Sequence, residues 1–227
     1  MCAAAVVTID GPSGSGKGTI SRAVARHAHW HLLDSGALYR LVALAGVQNA
    51  LQPDDISGHT QLAASMQIGF GTRPDGGEQV TLCGRDVTLE VRSEMAGQGA
   101  SRVAAWPEVR SALLGRQRAF RRPPGLVADG RDMGSVVFPE AVLKIFLTAT
   151  PAERALRRYK QLKDKGSDVS LPALSREIAE RDLRDSTRKS SPLKAAADAH
   201  VIDSTGLAID AVVDRVLGLG RELSLWS

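Results

Sequence analysis

The chain has 227 residues, 43% hydrophobic and 24% charged, with a formal net charge of +4. That is enough chain and apolar content to bury a full core, and the lack of any run of about 18 apolar residues excludes a helical membrane span. Aromatics are only 4%, and basic residues crowd two stretches, 102–122 and 154–188. In the second they alternate with Asp164, Glu180, Asp182 and Asp185. A nucleic-acid face would be uniformly basic with interleaved aromatics; this pattern suits a pocket for a small polyanion, with no nucleic-acid or membrane partner expected. Cys2 and Cys83 have neither metal nor disulfide spacing and read as reduced thiols of a cytoplasmic protein. His27, His29 and His31 alternate near Trp30 without a cysteine or carboxylate cluster, so no metal site is read there.

In chain order, Ala3–Asp10 is a short β-branched apolar run that ends at glycine, a buried strand. It lacks a basic start, so it is not read as a signal peptide. Lys17–Ala28 has helical spacing, with Ile20, Ala23, Val24 and Ala28 on one face. His31–Leu33 is predicted as a strand and Gly36–Gly46 as a helix. Residues 51–65 are weakly patterned. Gln67–Phe70, Gln79–Leu82 and Asp86–Leu89 are predicted as three short strands, joined by turns at 74–77 and 83–85 into a local antiparallel appendage. Val109–Phe120 is predicted helical. Leu126–Asp129 and Val142–Leu147 are predicted strands, the second leading to a helix that opens at Pro151. A charged helix over Leu171–Leu183, a strand at His200–Asp203 and an amphipathic helix over Ile209–Leu223 complete the chain.

Five strands of parallel type alternating with helices predict an α/β fold with a three-layer core around a five-stranded parallel sheet. Residues 1–50 and 101–227 are expected to form that core, with a helical lid at about 154–190. Residues 51–100 are expected to be an inserted antiparallel region that binds substrate.

The strongest motif joins the first strand to the first helix. Gly11, Pro12, Ser13, Gly14, Ser15, Gly16 and Lys17 fit G-x-x-x-x-G-K in the strand–turn–helix context the motif requires. This identifies a P-loop NTPase core. Its glycines let backbone N–H groups face phosphate oxygens, the helix start adds positive potential, and Lys17 supplies a point charge. Gly18 stands where Ser or Thr usually holds Mg²⁺, and the Thr19 hydroxyl is available to an earlier phosphate. Mg²⁺ is then expected to be held by ATP oxygens and water, with Asp129 behind it. The alternative for Asp129, at its strand end, is that it caps the following turn.

A GTP-dependent switch needs an Asn-Lys-x-Asp motif; the one asparagine, Asn49, is not followed by lysine. A motor ATPase would need further motifs that are not found here. A small-molecule kinase needs a second phosphate site, and the chain offers candidates. Arg40 lies one helical turn after Gly36. Arg181, Arg184 and Arg188 recur at i, i+3 and i+7 on one helix face, joined by Asp185.

Gly11–Thr19, reading GPSGSGKGT, is similar to the loop of nucleoside monophosphate kinases. Asp34-Ser35-Gly36 with Tyr39-Arg40 resembles the bacterial cytidylate kinases. So do Ala128-Asp129-Gly130-Arg131-Asp132-Met133-Gly134, and Glu180-Arg181-Asp182 with Arg184, Asp185 and Arg188, in that order and spacing, together with Ser101 and Arg110. The resemblance spans nearly the whole chain. It implies transfer of the γ-phosphate of ATP to CMP or dCMP, with UMP or another nucleoside monophosphate as the alternative acceptor. It implies that Ser35, Tyr39, Arg40 and Arg131 bind the acceptor, the arginines clamping its phosphate. Asp132, Arg110 and Ser101 would read cytosine, and Asp185 would take the sugar hydroxyls. Lys17, Arg131, Arg181 and Arg188 would act on the phosphoryl group in transfer. Arg157 or Arg158 would flank the ATP phosphates or adenine; a solvated charged helix is the other reading of both. Ser35 can equally be a helix cap, Asp132 can pair with an arginine, and Arg184 can belong to a salt-bridged helix. A monomer is expected.

Overall fold

The structure is a computed structural model that describes residues 4–73, 77–164, 166–188 and 190–226. β1 (Ala5–Asp10) leads through the glycine-rich loop into α1 (Lys17–Ala28), then β2 (His31–Asp34) and, without a break, α2 (Ser35–Gln48). α3 (Ile56–Ser65) follows, started by Asp55, whose carboxylate accepts from Gly58 N at 2.8 Å. β3 (Ile68–Thr72), β4 (Glu78–Leu82) and β5 (Arg85–Asp86) come next, then α4 (Thr88–Val91), α5 (Glu94–Val103) and α6 (Pro107–Arg118). β6 (Gly125–Gly130) runs into a π-helical turn, Met133–Val137. β7 (Leu143–Thr148), α7 (Pro151–Lys163), α8 (Leu171–Thr187), β8 (His200–Asp203) and α9 (Ile209–Glu222) complete the order. No helix among the described residues is long and apolar enough to cross a membrane.

The chain divides into two compact units. One takes the chain up to Asp34 and from Gln117 onward; the other is Ser35–Arg116. The first holds a parallel sheet of order β2-β6-β1-β7-β8. β1 is central and its inner residues are fully buried, as the unbroken apolar run required. Val7, Ile9, Ile145 and Leu147 pack beneath Val24 of α1 and Val216 of α9. The register places Asp34 beside Asp129 and Asp10 beside Gly130, so three carboxylates end neighbouring strands at one edge. Open α/β sheets bind ligands at that edge, outside the carboxyl ends of the strands.

The second unit holds the antiparallel sheet β3-β4-β5 and the packed pair α2 and α5. A Cβ on Gly99 would come 2.8 Å from Ala43 Cβ, so glycine is what lets α5 lie so close to α2. That pairing makes the unit wider than the 51–100 insertion expected from sequence.

Three local expectations need correction. Residues 51–65 contain α3, whose inward face is only His59 and Ala63. Glu94–Val103 is a helix that sequence did not predict, because it buries Ala96, Gly97, Ala100 and Ser101 with Val103 as its one larger apolar residue, and so has no large apolar stripe. The strand expected at Asp86–Leu89 stops at Asp86, where the carboxylate takes Thr88 N (2.9 Å) and Oγ1 (2.6 Å) and turns the chain into α4. The turn expected at 74–77 lies largely outside the described residues.

Candidate active site

The loop wraps the start of α1. Gly16 sits at φ 92 as the helix N-cap, with no side-chain cap and no acidic residue in the first turn. The helices α3, α5, α7 and α8 are capped by the side chains of Asp55, Ser93, Thr150 and Ser170, whereas α4 and α9, like α1, have no side-chain cap. The α1 start therefore presents N–H groups and positive potential to an anion. Lys17 Nζ reaches back to Pro12 O at 3.3 Å. Burial, and then Arg131 and Arg181, hold its pKa below the ordinary lysine value, against the opposing pull of Asp129 and Asp34. A polyphosphate would supply the negative charge this lysine lacks.

Asp129 ends β6 facing the same space. Burial first, and then Asp34, push its pKa up, while Lys17, Arg131 and Arg22 pull it down. Its Oδ1 is buried with no hydrogen-bond partner among the described residues, so that oxygen is not spent on capping the next turn. A Cβ on Gly18 would lie 3.1 Å from Oδ2. The space at 18 is bordered by Oδ2 and by the Arg22 guanidinium, whose nitrogens would lie 3.7 and 3.8 Å from such a Cβ. The Asp129 carboxylate, with Oδ1 unused, suits a hydrated Mg²⁺, which prefers oxygen ligands and keeps several waters.

Asp10, at the end of β1, grips the turn that follows β6. Its Oδ1 accepts from Met133 N and its Oδ2 from Gly134 N, both at 2.8 Å. Burial nevertheless raises its pKa to about 7, with Asp132 and Asp129 adding to the rise. The grip fixes the backbone just after Arg131 and Asp132, and Asp132 itself is buried. Arg131 Nε donates to Asp185 Oδ2 at 3.0 Å, which brings α8 to the loop. Arg188 Nη1 lies 3.9 Å from the other Asp185 oxygen. Burial raises the Asp185 pKa, but Arg131, Arg181 and Arg188 outweigh it and hold the carboxyl below its usual range. Lys17, Asp129, Arg131, Arg181, Asp185 and Arg188 thus form one charged cluster around the loop.

In the second unit, Ser35 opens α2 and is buried, with Tyr39 and the half-buried Arg40 one turn further on. The Arg110 guanidinium lies over the Tyr39 ring, 5.6 Å from its centroid, and Nη1 donates to Ala104 O at 3.2 Å. Ser101 is buried on α5.

The family model described as cytidylate kinase matches residues 7–222. The cytidylate kinase of Shewanella denitrificans is 56% identical over 213 residues, 93% of this chain and 94% of that protein. That of Nitrosococcus oceani is 54% identical, with the same shares covered. That of Methylococcus capsulatus is 54% identical over 214 residues, 94% of this chain and 96% of the relative. The chain belongs to the cytidylate kinase family.

The residues expected of a cytidylate kinase divide between the units. Lys17, Asp129, Arg131, Asp132, Arg181, Asp185 and Arg188 lie in the unit with the loop; Ser35, Tyr39, Arg40, Ser101 and Arg110 lie in the other. The lid arginines diverge. Arg157 Nη1 donates to Ser15 O (3.3 Å) and Ser204 Oγ (3.0 Å), and Nη2 to Ser204 O (2.5 Å), so it braces the back of the loop. Arg158 Nη1 bonds Gln161 Oε1 at 3.0 Å on the surface of α7. Arg184 lies 3.9 Å from Glu180, as in a salt-bridged helix. Sequence reasoning missed Asp10, which no motif marks because its partners are backbone N–H groups on a distant segment; Arg154 stood only among the basic residues that open the expected lid, with its Asp182 partner unread.

Proposed function

We propose that the protein works as a cytidylate kinase, moving the γ-phosphate of ATP to CMP or dCMP. Family membership across nearly the whole chain supports this, and the charged cluster at the loop supplies the chemistry it needs. The Gly11–Thr19 amides and Lys17 hold the triphosphate. An oxygen of the CMP phosphate forms the new bond to the γ-phosphorus as the β–γ bridging bond breaks, and ADP leaves. That phosphate is already ionised near neutral pH, so no general base is needed, and catalysis comes from positioning and charge stabilisation. Mg²⁺ carried with ATP would be held by nucleotide oxygens and water against Asp129, and would neutralise charge between the β- and γ-phosphates. Arg131 and Arg40 clamp the acceptor phosphate, Ser35 adding its hydroxyl, while Arg181 and Arg188 stabilise charge on the moving group. Asp185 meets the sugar hydroxyls. The enzyme acts in the cytoplasm as a monomer.

Asp132 reads the base by accepting from the cytosine amine, with Arg110 and Ser101 answering the N3 and O2 acceptors. Uracil would turn a carbonyl toward Asp132 and leave buried acceptors unpaired. A coupled assay of ADP release against CMP, dCMP, UMP and AMP tests the reading. CMP and dCMP should be the preferred acceptors, with UMP rising relative to CMP in Asp132→Asn. A preference of the natural chain for UMP or AMP would overturn it.

A further inference from the structure

Arg154 lies in the first turn of α7, with its side chain 4% exposed. Its Nε donates to Ala149 O at 2.9 Å and its Nη1 to Ser13 O at 3.2 Å. Nη1 and Nη2 also bind Asp182 Oδ1 and Oδ2, at 3.0 and 2.6 Å. One guanidinium therefore joins the end of β7, the phosphate loop and α8. The contact extends to the backbone: Gly14 has φ 76, and a Cβ there would lie 3.0 Å from Arg154 Cβ. Loop amides that turn toward an anion leave carbonyls on the outer side, and Arg154 takes one of those.

Asp182 follows Arg181 directly and lies one helical turn before Asp185. Fixing Asp182 against the loop therefore fixes both the rotation and the height of α8. The pair differs in kind from Arg131–Asp185. Those groups are the ones assigned to substrate, whereas Arg154 and Asp182 bind each other and the protein backbone.

We propose that Arg154 is a positioning residue for phosphoryl transfer: with Asp182 it locks α8 to the outer face of the phosphate loop and sets Arg181, Asp185 and Arg188 relative to Lys17. This rests on reading the α8 arginines as acting on the transferring group. Lysine cannot replace Arg154, because a point charge does not bridge a carboxylate and two carbonyls as a planar fork does.

The test compares Asp182→Asn, Arg154→Lys and the double variant Arg154→Lys/Asp182→Asn in the full chain, with Arg188→Ala as a control. Misplacing reacting groups by about 1 Å costs on the order of 100-fold, so kcat for Asp182→Asn should fall at least about 10-fold. The KM for ATP should move by less than about 3-fold, since the loop amides that bind it are intact. Arg154→Lys should lower kcat on the same scale as Asp182→Asn. The double variant should lose no more than the worse single change, as expected of two residues acting as a unit. A lowered melting temperature with unchanged kcat per folded molecule would assign the pair to stability alone and overturn the proposal; so would additive losses in the double variant. Asp182 is 27% exposed, so Asp182→Asn carries the test even where Arg154 variants fail to fold. Full kcat in Arg188→Ala would instead remove the reading of α8 on which the proposal stands.

Discussion

Arg131 and Asp185 are 54 positions apart in the chain, yet their side chains meet at 3.0 Å with only 16% and 8% of each exposed. Both have substrate roles in the proposed function, in which CMP exchanges this bridge for its own phosphate and sugar. Removing the carboxylate leaves Arg131, Arg181 and Arg188 together without their shared anion. Loss of one partner from a buried pair costs about 3–5 kcal/mol. Asp185→Asn should therefore lower the melting temperature of the free protein, and CMP should recover more of that loss than it adds to the natural chain. Thermal melts with and without CMP check this.

Asp129 has a buried Oδ1 with no hydrogen-bond partner among the described residues, and its Oδ2 borders the space left by Gly18. A carboxylate behind a hydrated metal is worth roughly 10–100-fold in metal affinity or activity. Asp129→Asn should raise the Mg²⁺ concentration needed for half-maximal rate by about that factor, with CMP binding little changed. A Mg²⁺ titration at fixed ATP measures it.

Arg188 is nearly buried against Asp185 at the end of α8. Donors aimed at developing charge are worth about 100- to 1000-fold in turnover. Arg188→Ala should lose turnover on that scale while the KM for ATP shifts only a few-fold; equal turnover would remove it from the mechanism.

Asp10 yields a pH signature. Its pKa is 3.8 in the open chain and about 7 in the fold, raised chiefly by burial. Between those values the folded chain binds the extra proton. The Asp10 contribution is thus complete below the lower value and declines as pH rises toward 7, at up to about 1.4 kcal/mol per pH unit. Asn does not titrate, so Asp10→Asn should gain on the natural chain steadily from pH 4 to pH 7. A constant offset of about 1–3 kcal/mol should underlie that gain, because an amide N–H must face one of the two backbone donors. Urea midpoints across that pH range would show a flat difference if the assignment is wrong.

What sequence made legible was what short range encodes. The phosphate loop is a run of consecutive residues whose glycines dictate backbone shape. The single helical face expected for Arg181, Arg184 and Arg188 is not kept: α8 ends at Thr187 with Arg188 extended beyond it, and Arg184 turns to Glu180. The parallel strands announced themselves as unbroken apolar runs. The helices α3 and α5 did not, because their inward positions are His59, Ala63 and, Val103 apart, small residues. Asp10 was invisible for a different reason: it binds backbone groups 123 and 124 positions away, and a backbone N–H carries no residue-type signal at all. Arg154 was visible as a charge in the expected lid, but not its contact with Ser13 O, 141 positions away, nor its pairing with Asp182. Arg157 was singled out for its charge, but its guanidinium is occupied by Ser15 and Ser204.

In the proposed reaction the nucleotide itself finishes the bare start of α1. Where α3, α5, α7 and α8 carry built-in caps, α1 borrows one from the reaction, and it hands that cap back each time ADP departs. Amide hydrogen exchange over residues 16–20 should therefore report each stage of the catalytic cycle: rapid in the empty enzyme, slow with ATP, and intermediate with ADP.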